Sequence, residues 1–186
     1  MYRAALTLCL GVGLSPLAVA ADYEIDPSHA FIQFHISHLG FSTVAGRFNQ
    51  FKGNFSWDKE NPAASKIALT IDTASIDSNW AERDKHLRGR DFLDVEQFPE
   101  AKFESVSYEG DENGGLLLGN LTLHGVTKPI GIKVSAIGEG KDPWGGYRAG
   151  FSGTAELTRA DFGMNFDLGP AAKKMTFDLF IEGKRK

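Results

Sequence analysis

The chain has 186 residues, of which 42% are hydrophobic, and 24 acidic residues against 20 lysines and arginines give a formal net charge of −4. A mildly acidic chain without a basic cluster argues against nucleic acid as a partner. It also argues against electrostatic adhesion to anionic membranes, which requires a face rich in lysine and arginine.

Residues 1–20 have the pattern of a secretory signal peptide. A positive charge precedes an apolar stretch, and Ala18-Val19-Ala20 offers small residues to signal peptidase, which predicts cleavage before Ala21. The apolar run is shorter than the roughly 20 residues of a membrane-spanning helix, so we expect no stable membrane insertion. The remaining residues 21–186 are predicted to form a single periplasmic domain.

Most of that domain alternates between apolar and polar residues with a period of two, which is typical of half-buried β-strands. Phe48 is out of phase with the alternation that follows it, which predicts a bulge near Asn49-Gln50. The alternating apolar positions are Ala30, Ile32, Phe34 and Ile36; Phe51, Phe55 and Trp57; Ile67, Leu69 and Ile71; Leu117, Leu121 and Leu123; Ile130, Ile132 and Val134; Ala149, Phe151, Ala155 and Leu157; and Met175, Phe177, Leu179 and Ile181.

One long segment, residues 73–99, interrupts the strands. Connections of this length usually carry function. Asn79 with Glu82 three residues later predicts a helix start, and Gly89 predicts its end. A second short turn follows at residues 91–95. We interpret the segment as a helical flap over one end of the domain, with a plain plug as the alternative.

Turn sequences separate the later strands. Gly110–Gly115 contains Asn113-Gly114, a dipeptide that tolerates the positive φ angles of a tight hairpin. His124–Pro129 and Gly138–Gly146 separate the next two pairs. Connections of roughly six to nine residues without a helical pattern predict an antiparallel meander of four consecutive strands.

About eight strands without protected edges favour closure into a β-barrel, because closure leaves no strand edge unpaired. The strand near Tyr23 and the C-terminal strand Lys174–Glu182 are the natural partners for that closure. A β-sandwich is the alternative architecture. The sequence thus predicts an all-β domain built on an eight-stranded antiparallel barrel with a short helical flap.

The predicted mature chain shows no motif for catalysis or metal binding. The only cysteine of the full sequence, Cys9, lies in the predicted leader, so the mature chain would have neither a catalytic thiol nor a disulfide. A Gly-x-Ser-x-Gly nucleophile motif is missing. The five histidines have no His-x-His or Glu-x-x-His spacing, so we do not expect a preformed zinc or copper site. We therefore predict that the protein is not an enzyme and needs no cofactor.

The apolar content is high, with 14 phenylalanines, and several strands carry apolar residues on both faces. One interpretation is a large core plus an interface, such as that of a homodimer, that covers the outer residues. The other is an apolar lumen, since an eight-stranded barrel can hold one small ligand. The strands concerned contain Phe31 beside Ile32, Leu116 and Leu118 beside Leu117, and Phe180 beside Leu179.

The chain strongly resembles the YceI-like family in several strings that follow one another in order. The resemblance covers essentially all of the predicted mature chain. It rests on Ala21-Asp22-Tyr23, Ala81-Glu82-Arg83-Asp84-Lys85-His86-Leu87-Arg88, Asp91-Phe92-Leu93, Phe98-Pro99, Leu121-Thr122-Leu123-His124-Gly125-Val126-Thr127-Lys128-Pro129, Asp142-Pro143-Trp144-Gly145-Gly146, Asp161-Phe162 and Asp167-Leu168-Gly169-Pro170.

This resemblance implies a lipocalin-like barrel that binds a long-chain polyisoprenoid or an isoprenoid quinone in an elongated apolar channel. It places the polar head of the ligand near the flap residues Arg83, Asp84, His86 and Asp91. The apolar tail is expected against the remaining predicted ligand-binding residues, which are Phe34, Ile36, Phe55, Leu87, Phe92, Leu121, Leu123, Ile132, Val134, Phe151 and Phe162.

Three functions fit this picture. The first is a carrier that shields an isoprenoid lipid from water between membranes. The second is an enzyme acting on the head group of such a lipid, with Asp84, His86 and Asp91 as its chemistry. The third is a stress-related interaction protein for which the lipid is incidental.

Overall fold

The computed structural model describes residues 20–186, so the predicted leader lies outside the described residues apart from Ala20. Within that range the chain is all-β, with one short α-helix and four single 3₁₀ turns. The strands are β1 (Ala21–Ile25), β2 (Phe31–His38), β3 (Ser42–Phe48), β4 (Phe51–Trp57), β5 (Lys66–Asp72), β6 (Ile76–Asp77), β7 (Glu100–Gly110), β8 (Gly114–Leu123), β9 (Val126–Lys141), β10 (Tyr147–Thr158) and β11 (Lys174–Arg185), the helix is α1 (Ala81–Arg88), and the 3₁₀ turns are Pro62–Ala64, Thr73–Ser75, Arg159–Phe162 and Pro170–Ala172.

The strands of the described residues form one antiparallel sheet that closes on itself. Around the barrel the order is β1, β4, β5, β7, β8, β9, β10 and β11, and β11 returns to β1 with Tyr23 opposite Arg185. At one end, β2, β3 and β6 extend this ring, because β2 pairs with β11 and β3, and β3 pairs with β6. The predicted eight-stranded antiparallel barrel is therefore confirmed, and the sandwich alternative is wrong.

The bulge predicted near Asn49-Gln50 is instead a break between β3 and β4. The break is held by the backbone, since Asn49 donates its N–H to the Ser75 carbonyl and Asp72 donates to the Gln50 carbonyl. Phe48 is buried and Phe51 packs against the same core, although they are three residues apart. The two extra residues thus let the chain change phase while both phenyl rings stay inside.

The hairpin turns are shorter than the sequence predicted, occupying residues 111–113, 124–125 and 142–146. The strands continue through glycines that were assigned to turns, because β9 extends to Lys141. The positive φ angles expected at Asn113-Gly114 occur instead at His124 and Gly125. In the first hairpin the Asp111 carboxylate accepts hydrogen bonds from the backbone N–H groups of Asn113 and Gly114. A side-chain acceptor thus replaces the left-handed turn that we predicted.

Alternate residues of the strands meet inside the barrel. Tyr23 and Phe55 stack with ring centroids 4.8 Å apart. A Cβ atom on Gly183 would lie 2.4 Å from the Phe55 ring, so only glycine fits at that point of β11. Tyr23 and Phe55 thus fill the barrel beside β1, and a cavity lies on the other side of Phe55.

Candidate functional site

A cavity of about 440 Å³ occupies the interior of the barrel, a volume typical of small-molecule sites. It extends from Ser56 and Lys66 near one end of the barrel to Leu39 and Arg83 at the other. We call the second end the mouth. The cavity is lined mainly by apolar side chains, among them Ile32, Phe34, Ile36, Phe55, Trp57, Ile67, Leu69, Phe103, Leu117, Leu121, Ile132, Val134, Phe151, Leu157, Phe177, Leu179 and Ile181.

Aromatic rings surround the part of the cavity away from the mouth. The Phe151 ring lies 5.6 Å from that of Phe55 and 4.9 Å from that of Trp57, and Trp57 lies 6.3 Å from Tyr108. Burial raises the pKa of Tyr108, whose hydroxyl donates to the Asp111 carbonyl. These rings present faces and edges rather than charge, which suits a hydrocarbon ligand.

The helical flap at the mouth begins differently from the prediction. The residue that caps α1 is Trp80, and Asn79, with a φ of 63°, lies one residue before it. The expected side-chain cap from Asn79 is therefore wrong. Gly89 ends the helix as predicted and donates its N–H to the His86 carbonyl. None of the helices in residues 20–186 is long and apolar enough to cross a membrane.

Asp84 and Ser78 tie the helix to the segment before it. The buried Asp84 carboxylate accepts hydrogen bonds from the backbone N–H of Ser78 at 2.8 Å and from the Ser78 hydroxyl. Arg83 donates from Nε to the same hydroxyl at 2.7 Å and from a second nitrogen to the Ser78 carbonyl. Asp84 is thus committed to the protein itself, and it holds Arg83 in place through Ser78.

The turn at residues 91–95 folds under the helix. Leu93 donates its backbone N–H to the Leu87 carbonyl, and Asp94 donates to Gly89. Phe92 and Leu93 are buried and line the cavity together with Leu87. The apolar side of the predicted flap is therefore part of the cavity wall.

His86 stands at the mouth among aromatic rings. Its ring lies 4.9 Å from Phe92 and 5.4 Å from Phe166, edge-on to both. Its Nε2 lies 3.1 Å from the Asp91 carboxylate, and both side chains are about half exposed. Arg83 packs over the indole of Trp80, with 5.5 Å between the guanidinium carbon and the ring centroid.

Three arginines near the mouth donate to neutral oxygens. Arg83 uses Ser78, and Arg88 donates to the carbonyls of Ala74 and Ile76 at 2.7 Å each. Arg159 is buried, lines the cavity, and donates to the backbone carbonyls of three residues, which are Ala172, Met164 and Phe166.

Burial lowers the pKa of Arg159, which nearby Asp167 partly offsets. Among the ion pairs of residues 20–186, none involves Arg83, Arg88 or Arg159. Arg83 and Arg159 therefore line the cavity with guanidinium groups that are oriented by neutral oxygens.

The structure brings most of the predicted ligand-binding residues together at the cavity and leaves three off it. Asp84 is buried beside Ser78, Asp91 is exposed beside His86, and Phe162 is buried outside the lining. The predicted residues that line the cavity are Phe34, Ile36, Phe55, Arg83, His86, Leu87, Phe92, Leu121, Leu123, Ile132, Val134 and Phe151.

Sequence reasoning missed several lining residues for different reasons. Trp57 and Phe177 share the alternation of predicted neighbours, so that signal was available. Tyr108 follows a register shift between Ser105 and Ser107, which changes the inward face in the middle of β7. Arg159 is a charged residue at the end of a strand, and no local pattern predicts its burial.

A second group of ionisable residues lies away from the cavity, where Asp26, His29 and Glu182 bring ligand atoms close enough to hold a metal ion. Arg148 already donates to both carboxylates, and the Lys184 ammonium lies 2.8 Å from Asp26. Hydrogen bonding from Lys184, Ser28, Arg148 and His29 holds the pKa of Asp26 well below its usual range. Protein cations thus fill the positions that a metal ion would take.

Comparison with known proteins identifies this architecture. Residues 23–183 match the sequence model of the YceI-like domain. A UPF0312 protein of Shewanella putrefaciens is 53% identical over 191 aligned residues that cover 100% of both chains.

Among solved structures, the YCEI protein of Campylobacter jejuni superposes with a TM-score of 0.73 at 28% identity, covering 81% of this chain and 90% of that one. A polyisoprenoid binding domain from Saccharophagus degradans superposes with a TM-score of 0.65 at 15% identity, covering 90% of this chain and 100% of that domain. The second likeness concerns the fold alone.

Proposed function

The chain belongs to the YceI-like family, and we propose that it is a periplasmic binding protein that holds one long-chain polyisoprenoid or isoprenoid-quinone-type lipid in its barrel. The observation that carries the proposal is the cavity itself, which reaches from Lys66 to the mouth and is lined mainly by apolar side chains. The structural neighbour described as a polyisoprenoid binding domain supports the same class of ligand.

The tail of the lipid supplies the affinity in this proposal. Burial of hydrocarbon contributes about 0.8 kcal/mol per CH₂, so roughly forty isoprenoid carbons correspond to about 30 kcal/mol on paper. Measured affinities saturate near about 18–21 kcal/mol, because association and ordering cost free energy. The head group therefore needs to contribute little to affinity and is free to determine orientation.

The mouth orients the head group. Arg83, His86 and Arg159 face the cavity there, and the two arginines form no ion pair within residues 20–186. A head group with negative charge or electron-rich oxygens would complete this arrangement. The lipid would then lie with its head at the flap and its tail beside Trp57 and Phe151.

The predicted leader supports the proposed setting in the cell. A signal peptide over residues 1–20 would export the protein, and a lipid held in a closed barrel would be shielded from the water between two membranes. We propose a carrier on this basis. An enzyme acting on the head group has less support, because Asp84 and Asp91, two of its three candidate residues, do not line the cavity.

Mass spectrometry of organic extracts tests the proposal. Protein purified from its own periplasm is expected to yield one isoprenoid lipid per chain. Phe151→Asp is expected to yield almost none, because it replaces a ring that packs 5.6 Å from Phe55 and 4.9 Å from Trp57 with an unpaired carboxylate. Thr70→Asp is the matched control, since it adds the same charge to the outer face opposite Lys52 and Lys102. Equal lipid in wild type and in folded Phe151→Asp would contradict the proposal.

A further inference from the structure

Large apolar side chains are exposed around the mouth. Phe41 is 86% exposed, Trp80 61% and Leu39 60%, and Phe166 is also exposed. Leu39 lines the cavity, and Phe41 is two residues on in the same hairpin. Trp80 packs under Arg83 and Phe166 packs against His86, and Arg83 and His86 are both lining residues. We call these four residues the mouth patch.

The hairpin that carries two of them has an unusual turn. Leu39 and Gly40 both have positive φ angles, 54° and 80°, and Phe41 donates its N–H to the His38 carbonyl. Turns with two left-handed residues favour asparagine or aspartate followed by glycine. Leucine in that conformation costs about 1 kcal/mol or more. Leu39 at the tip of the hairpin therefore exposes an apolar side chain to solvent and also adopts an unfavourable backbone conformation.

We propose that the mouth patch docks the protein on the surface of a lipid bilayer, with Leu39 and Phe41 entering the boundary between head groups and acyl chains. This inference rests on the proposed function. A lipid that crosses water loses about 0.8 kcal/mol per exposed CH₂, so exchange through water is very slow. With Leu39 at both the cavity and the bilayer, the lipid tail would leave the bilayer against an apolar side chain rather than into water.

The mouth patch is expected to bind a bilayer through apolar contact rather than through charge. The chain carries a formal net charge of −4, which disfavours attraction to anionic lipids. Exposed aromatic residues such as Phe41 and Trp80 suit the membrane interface, where ring and indole groups concentrate. Binding to uncharged vesicles is therefore expected, and salt should change it little.

An equally exposed aromatic residue at the other end of the barrel provides a matched control. Trp144 is 82% exposed and precedes β10, whereas Arg159 follows β10 and lines the cavity at the mouth. The Trp144 indole packs with Arg148, 5.9 Å from ring centroid to guanidinium carbon. It does not border the cavity, so the proposal assigns it no part in docking.

Co-sedimentation with phosphatidylcholine vesicles tests the inference. Phe41→Ser is expected to weaken vesicle binding about tenfold, consistent with loss of partial burial of one phenyl group, and to slow octaprenol transfer between vesicles similarly. Its octaprenol content at equilibrium should equal that of wild type. Trp144→Ser should match wild type in both assays, and added salt should leave binding unchanged.

Leu39→Asn separates docking from folding, because asparagine suits the left-handed turn. This variant is expected to keep or raise the Tm while weakening vesicle binding. Docking would be overturned if the wild-type protein did not bind the vesicles or if Phe41→Ser bound them as well as wild type. It would also be overturned if Trp144→Ser lost as much vesicle binding as Phe41→Ser, or if salt abolished vesicle binding. If the protein held no octaprenol at equilibrium, the proposed function would fail, whereas retained octaprenol with unimpaired transfer by Phe41→Ser would overturn docking alone.

Discussion

Two polar regions of the molecule hold their arginine side chains with different hydrogen-bond acceptors. Around Arg148 on the outside of the barrel, every hydrogen-bond acceptor of the guanidinium is a carboxylate, since it contacts Asp26, Asp142 and Glu182. At the mouth, Arg83 and Arg159 donate instead to a hydroxyl and to backbone carbonyls. The first arrangement neutralises charge and joins distant segments. The second orients positive charge and leaves it available to a ligand.

The comparison predicts separable effects of mutation. Changes in the Arg148 group should alter stability and leave lipid binding intact. Changes at the mouth should alter lipid binding, and those that reach the flap should also alter stability. Three substitutions, in order of decreasing expected effect, would sharpen or break this division.

Asp26→Asn is expected to have the largest effect, lowering the free energy of unfolding by about 3 kcal/mol, because it removes the buried carboxylate that Arg148 and Lys184 share and leaves Arg148 only the less buried Asp142 and Glu182. Denaturant unfolding at neutral pH measures it. Asp178→Asn is the control, since its pair with His35 is partly exposed and should contribute less than about 1 kcal/mol. A loss of bound lipid in folded Asp26→Asn would break the division.

The effect of Asp26→Asn on the free energy of unfolding should depend on pH. The pKa of Asp26 is lowered in the folded protein, chiefly by the hydrogen bond from Lys184, so its contribution is fully present above its unfolded pKa of about 4. That contribution is lost as the pH falls further, and the difference between wild type and Asp26→Asn should shrink between about pH 4 and pH 2. A difference that stayed constant over this range would contradict the assignment.

Asp84→Ala is expected to cost about 2 kcal/mol, because it removes a buried carboxylate that accepts two hydrogen bonds from Ser78. Arg83 would lose its fixed position at the same time, so lipid should also leave faster. Thermal unfolding and the rate of lipid release measure the two effects. Asp91→Ala, which removes an exposed carboxylate, is the control, and an equal loss of stability in both variants would show that burial of Asp84 is not what matters.

Arg83→Met is expected to have the smallest effect. It should weaken the free energy of lipid binding by about 1.4 kcal/mol, which is a tenfold change in affinity. The loss should appear for an isoprenyl phosphate and not for the corresponding alcohol, because methionine keeps the apolar contacts and removes the charge. Lys85→Met on the exposed side of α1 should change neither affinity. Equal losses for the phosphate and the alcohol would show that Arg83 acts by packing alone.

The barrel could be predicted from the sequence because its signals are local. Alternation through Ile32, Phe34 and Ile36 defines an inward face without knowledge of the rest of the chain. The phase change at Phe48 was equally visible. The prediction of the turns was less accurate, because glycines such as Gly138 and Gly140 are also tolerated within the exposed, edge-free strands of a barrel. A glycine therefore does not by itself distinguish a turn from the end of a strand.

The site was harder to predict wherever it depends on tertiary contacts. Asp84 and Arg83 are neighbours in one charged run, yet the position of Ser78 draws Asp84 into the protein and leaves Arg83 facing the cavity. Arg159 is buried because the loop after β10 supplies three backbone carbonyls to its guanidinium. Periodicity carries no information about such long-range hydrogen bonds.

Contact quenching of tryptophan fluorescence by a brominated isoprenoid tests most directly whether the tail lies in the barrel. The chain has three tryptophans, and Trp57 lines the cavity whereas Trp144 lies outside it. In a protein that retains only Trp57, quenching should saturate at one lipid per chain, and a protein that retains only Trp144 should show none. Bound lipid that leaves Trp57 unquenched would contradict the account.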